Sequence, residues 1–276
     1  MSVMKEPSGR RSVEVEVIVP GTPEEVWRAI ATGPGISAWF VPSDVDEREG
    51  GKAVCHFSPD GSMDSVSTIT DWDPPRSFVA ESADLGPDAP PVATEWIVEA
   101  RHGGTCVVRV VHSLFASGDD WDGQLEGWEA GWPAFFRILR LYLTHFRGQS
   151  GAAFQLIGVA PEPKADAWGM LAGRLGFGSA AVGQRVSTAP GAPPLAGLVE
   201  EVGPAEHPEE LLLRLDEPAL GIAHLFALPM GGQVYLPIRL YLYGDRAASV
   251  AAREEPRWQA WITEYFAPTG VGSPAG

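Results

Sequence analysis

The sequence predicts an α+β fold in which a curved antiparallel β-sheet wraps around a long C-terminal α-helix, and this arrangement is repeated twice along the chain. Three observations support the prediction. Residues 43–115 form short runs of strand-forming residues separated by turn residues, which is typical of an antiparallel meander. Residues 122–146 then carry one apolar stripe at helical spacing. The same order of elements recurs in shorter form over residues 153–267.

The first elements are a strand and two short helices. Residues 13–19 have the sequence VEVEVIV, so valine at every second position forms one buried face of a strand. Thr22 and Glu25 form a capping box, and Pro23 suits the first helical position, which predicts a helix start. The residues from 36 to 40 predict one further helical turn.

The meander is expected to contain six strands, at residues 43–47, 51–58, 63–72, 76–82, 92–100 and 104–115. In the last strand Arg109 and Ser113 are expected to face solvent. Alternation then places the remaining residues on the covered face, namely Cys106, Val108, Val110, His112 and Leu114. The neighbouring strand turns Thr94, Trp96 and Val98 to that same face, where the long helix would lie.

The long helix carries a stripe of apolar residues spaced three or four positions apart, namely Leu125, Trp128, Trp132, Phe135, Leu139, Tyr142 and Phe146. A helix with so many aromatic residues requires a broad apolar surface, which the sheet provides. Pro133 lies within the pattern, lacks a backbone donor and clashes with the carbonyl group of Glu129. We therefore expect the helix to kink or restart there.

The second half of the chain follows the same plan. Residues 153–160 predict a strand and residues 163–176 a helix that carries Trp168, as the first short helix carries Trp27. Further strands and a final helix over 245–266 follow, so the second copy is shorter by about a hairpin or by the second short helix. The alternative is an extension that packs on the first domain.

Three stretches carry a resemblance to a known family: the opening VEVEVIVPGTPEEVWRAIATGPGISAWF, the turn DWDPPR at residues 71–76, and the later HSLF, GWEAGW and LRLYL. Residues 13–147 resemble the START-like (SRPBCC) helix-grip superfamily and, within it, the family similar to the C-terminal domain of the activator of Hsp90 ATPase. The resemblance implies a helix-grip domain at 12–147 and a second, shorter, degenerate copy at 153–267.

Charge and composition argue against several classes of function. The formal net charge is −16 and there is no basic stripe, which argues against nucleic acid and an anionic membrane surface as partners. Cys55 and Cys106 lie in strand-like runs and predict two reduced thiols in a cytoplasmic protein. The N-terminus lacks the apolar region of a signal peptide. No histidine pair has metal-ligand spacing with a carboxylate, so we expect no metal and no cofactor.

The function predicted from these features is non-catalytic binding of a small hydrophobic or amphipathic molecule, in a cavity between the sheet and the long helix of the first domain. Apolar burial would provide the affinity, and His112 would orient the molecule. Trp39 and Phe40 are expected at the mouth of the cavity. The residues expected to bind the ligand are Trp39, Phe40, Trp96, Val108, Val110, His112, Trp128, Trp132 and Phe135.

Two alternatives stay open. Some helix-grip relatives resemble polyketide aromatase/cyclases, and an enzyme of that kind would use His112 together with a second titratable group. A protein-interaction module, with a co-chaperone-like role or a homodimer partner, would instead show an exposed apolar patch. A cavity of several hundred Å³ under the helix would favour ligand binding, whereas a filled core would favour the interaction module.

Overall fold

The computed structural model describes residues 3–57, 61–83, 85–86, 89–204 and 208–267. The chain forms two compact units, Met1–Gly148 (unit 1) and Gln149–Gly276 (unit 2). Each unit is built on one antiparallel sheet and ends with a long helix, which confirms the predicted fold class. Within the described ranges, no helix is both long enough and apolar enough to cross a membrane.

Unit 1 contains, in chain order, β1 (Met4–Lys5), β2 (Arg10–Pro20), α1 (Pro23–Ala31), α2 (Gly33–Ser37), β3 (Ser43–Val45), β4 (Lys52–His56), β5 (Asp64–Asp73), β6 (Ser77–Ser82), β7 (Val92–Arg101), β8 (Thr105–Phe115) and α3 (Asp122–His145). Its strands follow the order β1-β2-β8-β7-β6-β5-β4-β3. The first long strand therefore pairs with the last, and the others continue as a meander.

The predicted capping box starts α1. The Thr22 hydroxyl accepts a hydrogen bond from the Glu25 backbone N–H, and the Glu25 carboxylate accepts one from the Thr22 backbone N–H at 2.9 Å. Together these bonds satisfy two backbone donors that the helix itself cannot pair. Thr32 caps α2 in turn, because its hydroxyl accepts from the Gly35 backbone N–H.

The helix α3 lies along the sheet with the predicted face buried. Leu125, Leu139 and Tyr142 are at most 5% exposed, and the alternate residues of β8 beneath the helix are buried as expected. Pro133 lies inside a continuous helix, so the helix does not restart there. Because proline has no N–H, the Glu129 carbonyl loses its usual helical donor at this point.

Unit 2 contains β9 (Gly151–Ala160), α4 (Lys164–Leu175), β10 (Arg185–Ser187), β11 (Ala196–Val202), β12 (Glu210–Glu217), β13 (Gly221–Phe226), β14 (Leu228–Met230), β15 (Gln233–Tyr243) and α5 (Ala247–Phe266). β9 pairs with β15 as β2 pairs with β8, and β13 and β14 both lie along the other edge of β15. β12, β11 and β10 complete the meander. Unit 2 thus repeats unit 1 without a counterpart of β1, α2 or β3 among its described residues.

Candidate functional site

A cluster of aromatic rings occupies the space between the sheet of unit 1 and the middle of α3. We call Phe40, Trp96, Trp132, Phe135 and Phe136 the aromatic cluster. Ring centroids lie 4.5 Å apart for Phe40–Phe135, 5.4 Å for Phe40–Trp132 and 5.1 Å for Trp96–Trp132. These separations are those of favourable aromatic pairs in contact. Residues expected to line an open cavity therefore contact one another at this position.

The aromatic cluster extends from the interior to the surface. Trp96 and Trp132 are each 9% exposed, whereas Phe40 and Phe135 are half-buried. Phe57, the residue after β4, is 43% exposed and lies 5.8 Å from Phe40 between ring centroids. Sequence reasoning missed Phe57 because alternation along residues 51–58 allowed either facing. Its contact with Phe40 marks the outer end of the aromatic cluster.

Trp39 does not lie at the mouth of a cavity. Its side chain is 1% exposed and its indole N–H donates to the Ala29 carbonyl at 2.9 Å, which ties the residues after α2 to α1. The ring lies 6.2 Å from Trp96 and so supports the aromatic cluster from the interior. Val108 and Val110, at 0% and 1% exposure, belong to the buried face of β8.

His112 is the polar residue at the centre of this region. The Trp132 indole N–H donates to His112 Nε2 at 2.6 Å, and Thr94 Oγ1 lies 3.0 Å from His112 Nδ1. Trp128 is half-buried and its ring lies 5.0 Å from the imidazole. Because Nε2 accepts a hydrogen bond, the neutral ring must carry its proton on Nδ1 and donate to Thr94. The hydrogen-bond partners therefore define one tautomer.

Burial lowers the pKa of His112 to about 4, because the protonated ring would lose its hydration. The side chain is accordingly neutral near pH 7. Its one lone pair already accepts from Trp132, so a role as general base would first require that hydrogen bond to break. His112 is therefore better placed to orient a ligand by hydrogen bonding than to transfer a proton.

A shallow groove of about 200 Å³ opens between β2 and α3. Val15 and Val17 of β2 and Pro133 and Phe136 of α3 provide its apolar surface. Phe136 belongs to both this groove and the aromatic cluster, where its ring lies 5.5 Å from that of Trp132. Sequence reasoning did not find the groove, because it depends on how α3 lies over β2.

His56 forms a second polar group, on the strands β3, β4 and β5. Its Nδ1 lies 2.9 Å from Asp64 and its Nε2 lies 3.1 Å from Asp44. A carboxylate at each nitrogen favours the doubly protonated ring, in which both nitrogens are donors. The hydrogen bonds to Asp44 and to Asp64 raise the pKa of His56 above its usual 6.5. Asp44, His56 and Asp64 lie on β3, β4 and β5, so these two hydrogen bonds join the three strands next to Phe57.

The contribution of His56 to stability is expected to depend on pH. Its pKa is raised in the folded protein, so the stabilisation is complete below about pH 6.5 and is lost as the pH rises through the raised value. The melting temperature of the His56→Gln variant should thus fall furthest below that of the unmodified protein in mild acid, and the gap should close in mild alkali. His102→Gln, at an exposed turn, is the matched control. A gap that is constant with pH would contradict the proposed ionisation.

Cysteines and possible metal ligands are also candidates for a site among the described residues. Neither Cys55 nor Cys106 forms a disulfide, and burial raises the pKa of Cys106. In the part of the chain that the structure describes, no group of three or more His, Cys, Asp or Glu side chains is arranged to hold a metal ion. The aromatic cluster with His112 is therefore the candidate site of unit 1.

The sequence of this region matches a known protein family. Residues 10–144, which contain β2 through most of α3, match the model of the family described as polyketide cyclase/dehydrase and lipid transport. Unit 1 is therefore similar to this family over most of its length. The polyketide cyclase/dehydrase family is part of the START-like (SRPBCC) superfamily, so the resemblance to that superfamily is confirmed. The matched family model is that of the polyketide cyclases/dehydrases, whereas the sequence motifs indicated the family of the activator of Hsp90 ATPase. No curated protein matches the chain.

Several solved structures are similar to this chain. CalU16 from Micromonospora echinospora has 19% identity and a TM-score of 0.41, and the match covers 52% of this chain and 83% of CalU16. Protein MLL2253 from Mesorhizobium loti has 23% identity and a TM-score of 0.43, covering 49% and 98%. The di-domain ARO/CYC protein BexL of the BE-7585A biosynthetic pathway has 14% identity and a TM-score of 0.43, covering 94% and 100%. Similarity this distant implies nothing about ligand or activity.

Proposed function

We propose that unit 1 binds a small hydrophobic or amphipathic molecule between its sheet and α3, without catalysing a reaction. The observation that supports this most is the composition of the aromatic cluster. It is an apolar region that reaches the surface, with one neutral hydrogen-bonding group, His112, near its centre. Ligand sites typically combine an apolar, aromatic wall with a few fixed polar groups.

The ligand would take the place of rings that now pack against each other. Phe40, Trp128 and Phe135 are half-buried, so their displacement exposes less apolar surface than movement of the fully buried core would. We infer that they, with Trp96, Val108, Val110, His112 and Trp132, form the binding surface. Trp39 is left out, because the Ala29 carbonyl holds it inside.

The first half of α3 is the element most suited to move. Gly127 and Gly131 lie within it, and a Cβ atom added at either would meet no atom within 4 Å. Close packing therefore does not require glycine at these positions. Each glycine lowers the stability of the helix by about 1 kcal/mol relative to alanine. Pro133 removes one more backbone hydrogen bond at the end of this segment. Local unfolding there would give access to Trp132.

A titration with the neutral fluorescent dye N-phenyl-1-naphthylamine tests the proposal. We expect saturable binding by the unmodified protein and a loss of affinity of about tenfold or more in Trp128→Ala, because a half-buried aromatic contact is removed. Phe115→Ala is the matched control, since Phe115 is an aromatic residue of unit 1 that is 65% exposed. Its affinity should stay unchanged.

Equal affinity in all three proteins would place the dye elsewhere and overturn the assignment of the site. Absence of saturable dye binding would overturn the proposed function itself. The catalytic alternative is not proposed, because both nitrogens of His112 are engaged and its pKa is low.

We also propose that the two START-like domains span residues 12–147 and 153–267, with the second as the degenerate copy. The two compact units and the repeated strand order support this division.

A further inference from the structure

The two units can be compared residue by residue where their first helices pack near the strand meander. Trp27 of α1 and Trp168 of α4 each lie five residues after the N-cap residue of their helix. In unit 1, Trp72 pairs across the strands with Phe78, just after a register shift in β5. In unit 2, a register shift in β11 precedes the pair of Val202 and Leu211.

The corresponding positions differ in size. In unit 1, Trp27 lies 5.0 Å from Trp72 and 5.8 Å from Phe78 between ring centroids, and it is only 7% exposed. In unit 2, valine and leucine stand at the positions of Trp72 and Phe78. Two aromatic rings that cover the first tryptophan are thus replaced by smaller aliphatic groups, and Trp168 is correspondingly half-buried.

A groove of about 380 Å³ lies where those rings would be. Among the described residues, its apolar wall is provided by Ala165, Trp168, Phe177, Ala180, Val202 and Leu211. Val202 is 42% exposed and Leu211 is 2% exposed, so the groove runs from the surface into the core of unit 2. This volume lies within the usual range for small-molecule sites, about 300–1,000 Å³.

The charged residues of the groove restrict the chemistry of its ligand. Glu209 and Glu210 both line it. Lys164 Nζ lies 3.0 Å from the Glu209 carboxylate, and His224 Nε2 lies 2.7 Å from the Glu210 carboxylate. Among the described residues that line the groove, the charged side chains are these two glutamates, so a negatively charged ligand is disfavoured and a neutral or cationic one is tolerated.

We propose that unit 2 binds a small planar aromatic molecule, neutral or cationic, against the Trp168 indole, in the place that the Trp72 ring takes in unit 1. The unit 1 arrangement itself indicates the size of the ligand, because an indole fits there beside the equivalent tryptophan. Contact between two aromatic rings and burial of the apolar wall would provide the affinity. This site is independent of the one proposed in unit 1.

The test uses the full chain and three related probes: indole, tryptamine and indole-3-acetate. Binding is followed by calorimetry and by the indole N–H signals of the ten tryptophans in NMR spectra. We expect indole and tryptamine to bind and to shift the Trp168 signal. Indole-3-acetate, which is negatively charged, should bind at least about fivefold more weakly than tryptamine.

Val202→Trp restores the ring that unit 1 has at this position and should weaken indole binding by about tenfold or more. Val202 is partly exposed, so the larger side chain is compatible with folding, which the NMR spectrum checks. Val182→Trp, at a valine that is 63% exposed and does not line the groove, is the matched control and should bind indole normally. Unchanged indole binding in Val202→Trp, or an undisturbed Trp168 signal, would overturn the proposal.

Discussion

Replacing Gly127 and Gly131 with alanine is expected to stabilise the first half of α3 by about 2 kcal/mol and to hinder ligand entry into unit 1. The stabilisation follows from helix propensity, at about 1 kcal/mol for each glycine in a helix interior. Neither position has a positive φ, and neither has an atom within 4 Å of an added Cβ, so the methyl groups are accommodated without strain. Amides of residues 123–132 should exchange with solvent roughly 30-fold more slowly.

The functional consequence is tested on the rate of dye association. If this half-helix must open before a ligand reaches Trp132, association should slow along with amide exchange. Gly169→Ala in α4 is the control, because that glycine is also helical and has open space around it. It should stabilise unit 2 and leave association with unit 1 unchanged. Slower exchange with unchanged dye association would exclude opening of α3 as the route of entry.

Acidification is expected to destabilise unit 1 through His112 by roughly 3 kcal/mol between about pH 7 and pH 4. The pKa of His112 is lowered to about 4 in the folded protein, against 6.5 for an exposed histidine. Below pH 6.5 His112 therefore binds a proton in the unfolded chain, whereas in the folded chain it stays neutral until the pH approaches 4. The stabilisation is complete above 6.5 and is lost as the pH falls towards the folded value.

The double variant His112→Leu/Trp132→Phe isolates this effect. It removes both side chains of the Trp132–His112 hydrogen bond and leaves the half-buried Thr94 hydroxyl without its histidine partner. In His112→Leu alone, the Trp132 indole N–H also loses its acceptor, at a cost of about 1–3 kcal/mol. Denaturant unfolding of unit 1 at both pH values should show a loss in the unmodified protein that exceeds the loss in the double variant by roughly 3 kcal/mol. Equal losses would mean that His112 is accessible to protons in the folded state.

Much of the fold could be predicted from local patterns. The capping box at Thr22, the alternation of residues 13–19 and the helical stripe from Leu125 each depend on residues close in sequence, and the structure confirms all three. The inward facing of His112 was also predictable, because alternation along one strand places every second residue on the same face. The repeat could be predicted because the two halves of the chain share one order of strands and helices although their residues differ.

The details of the site depended on contacts between residues that are distant in sequence. Alternation places Trp96, His112 and Trp132 on facing surfaces, but whether their rings leave a cavity or fill it depends on side-chain packing across three elements. The pairing of Trp132 with His112 joins residues 20 positions apart and determines the tautomer, which no local pattern specifies. Likewise, Trp72 and Val202 can be compared as a large and a small residue only after strand pairing shows that they occupy corresponding positions in the two units. Secondary structure here follows from short-range periodicity and capping, so the sequence alone determined it. Whether the space between a sheet and its helix is filled or open depends on side-chain volumes that come together only in the folded chain.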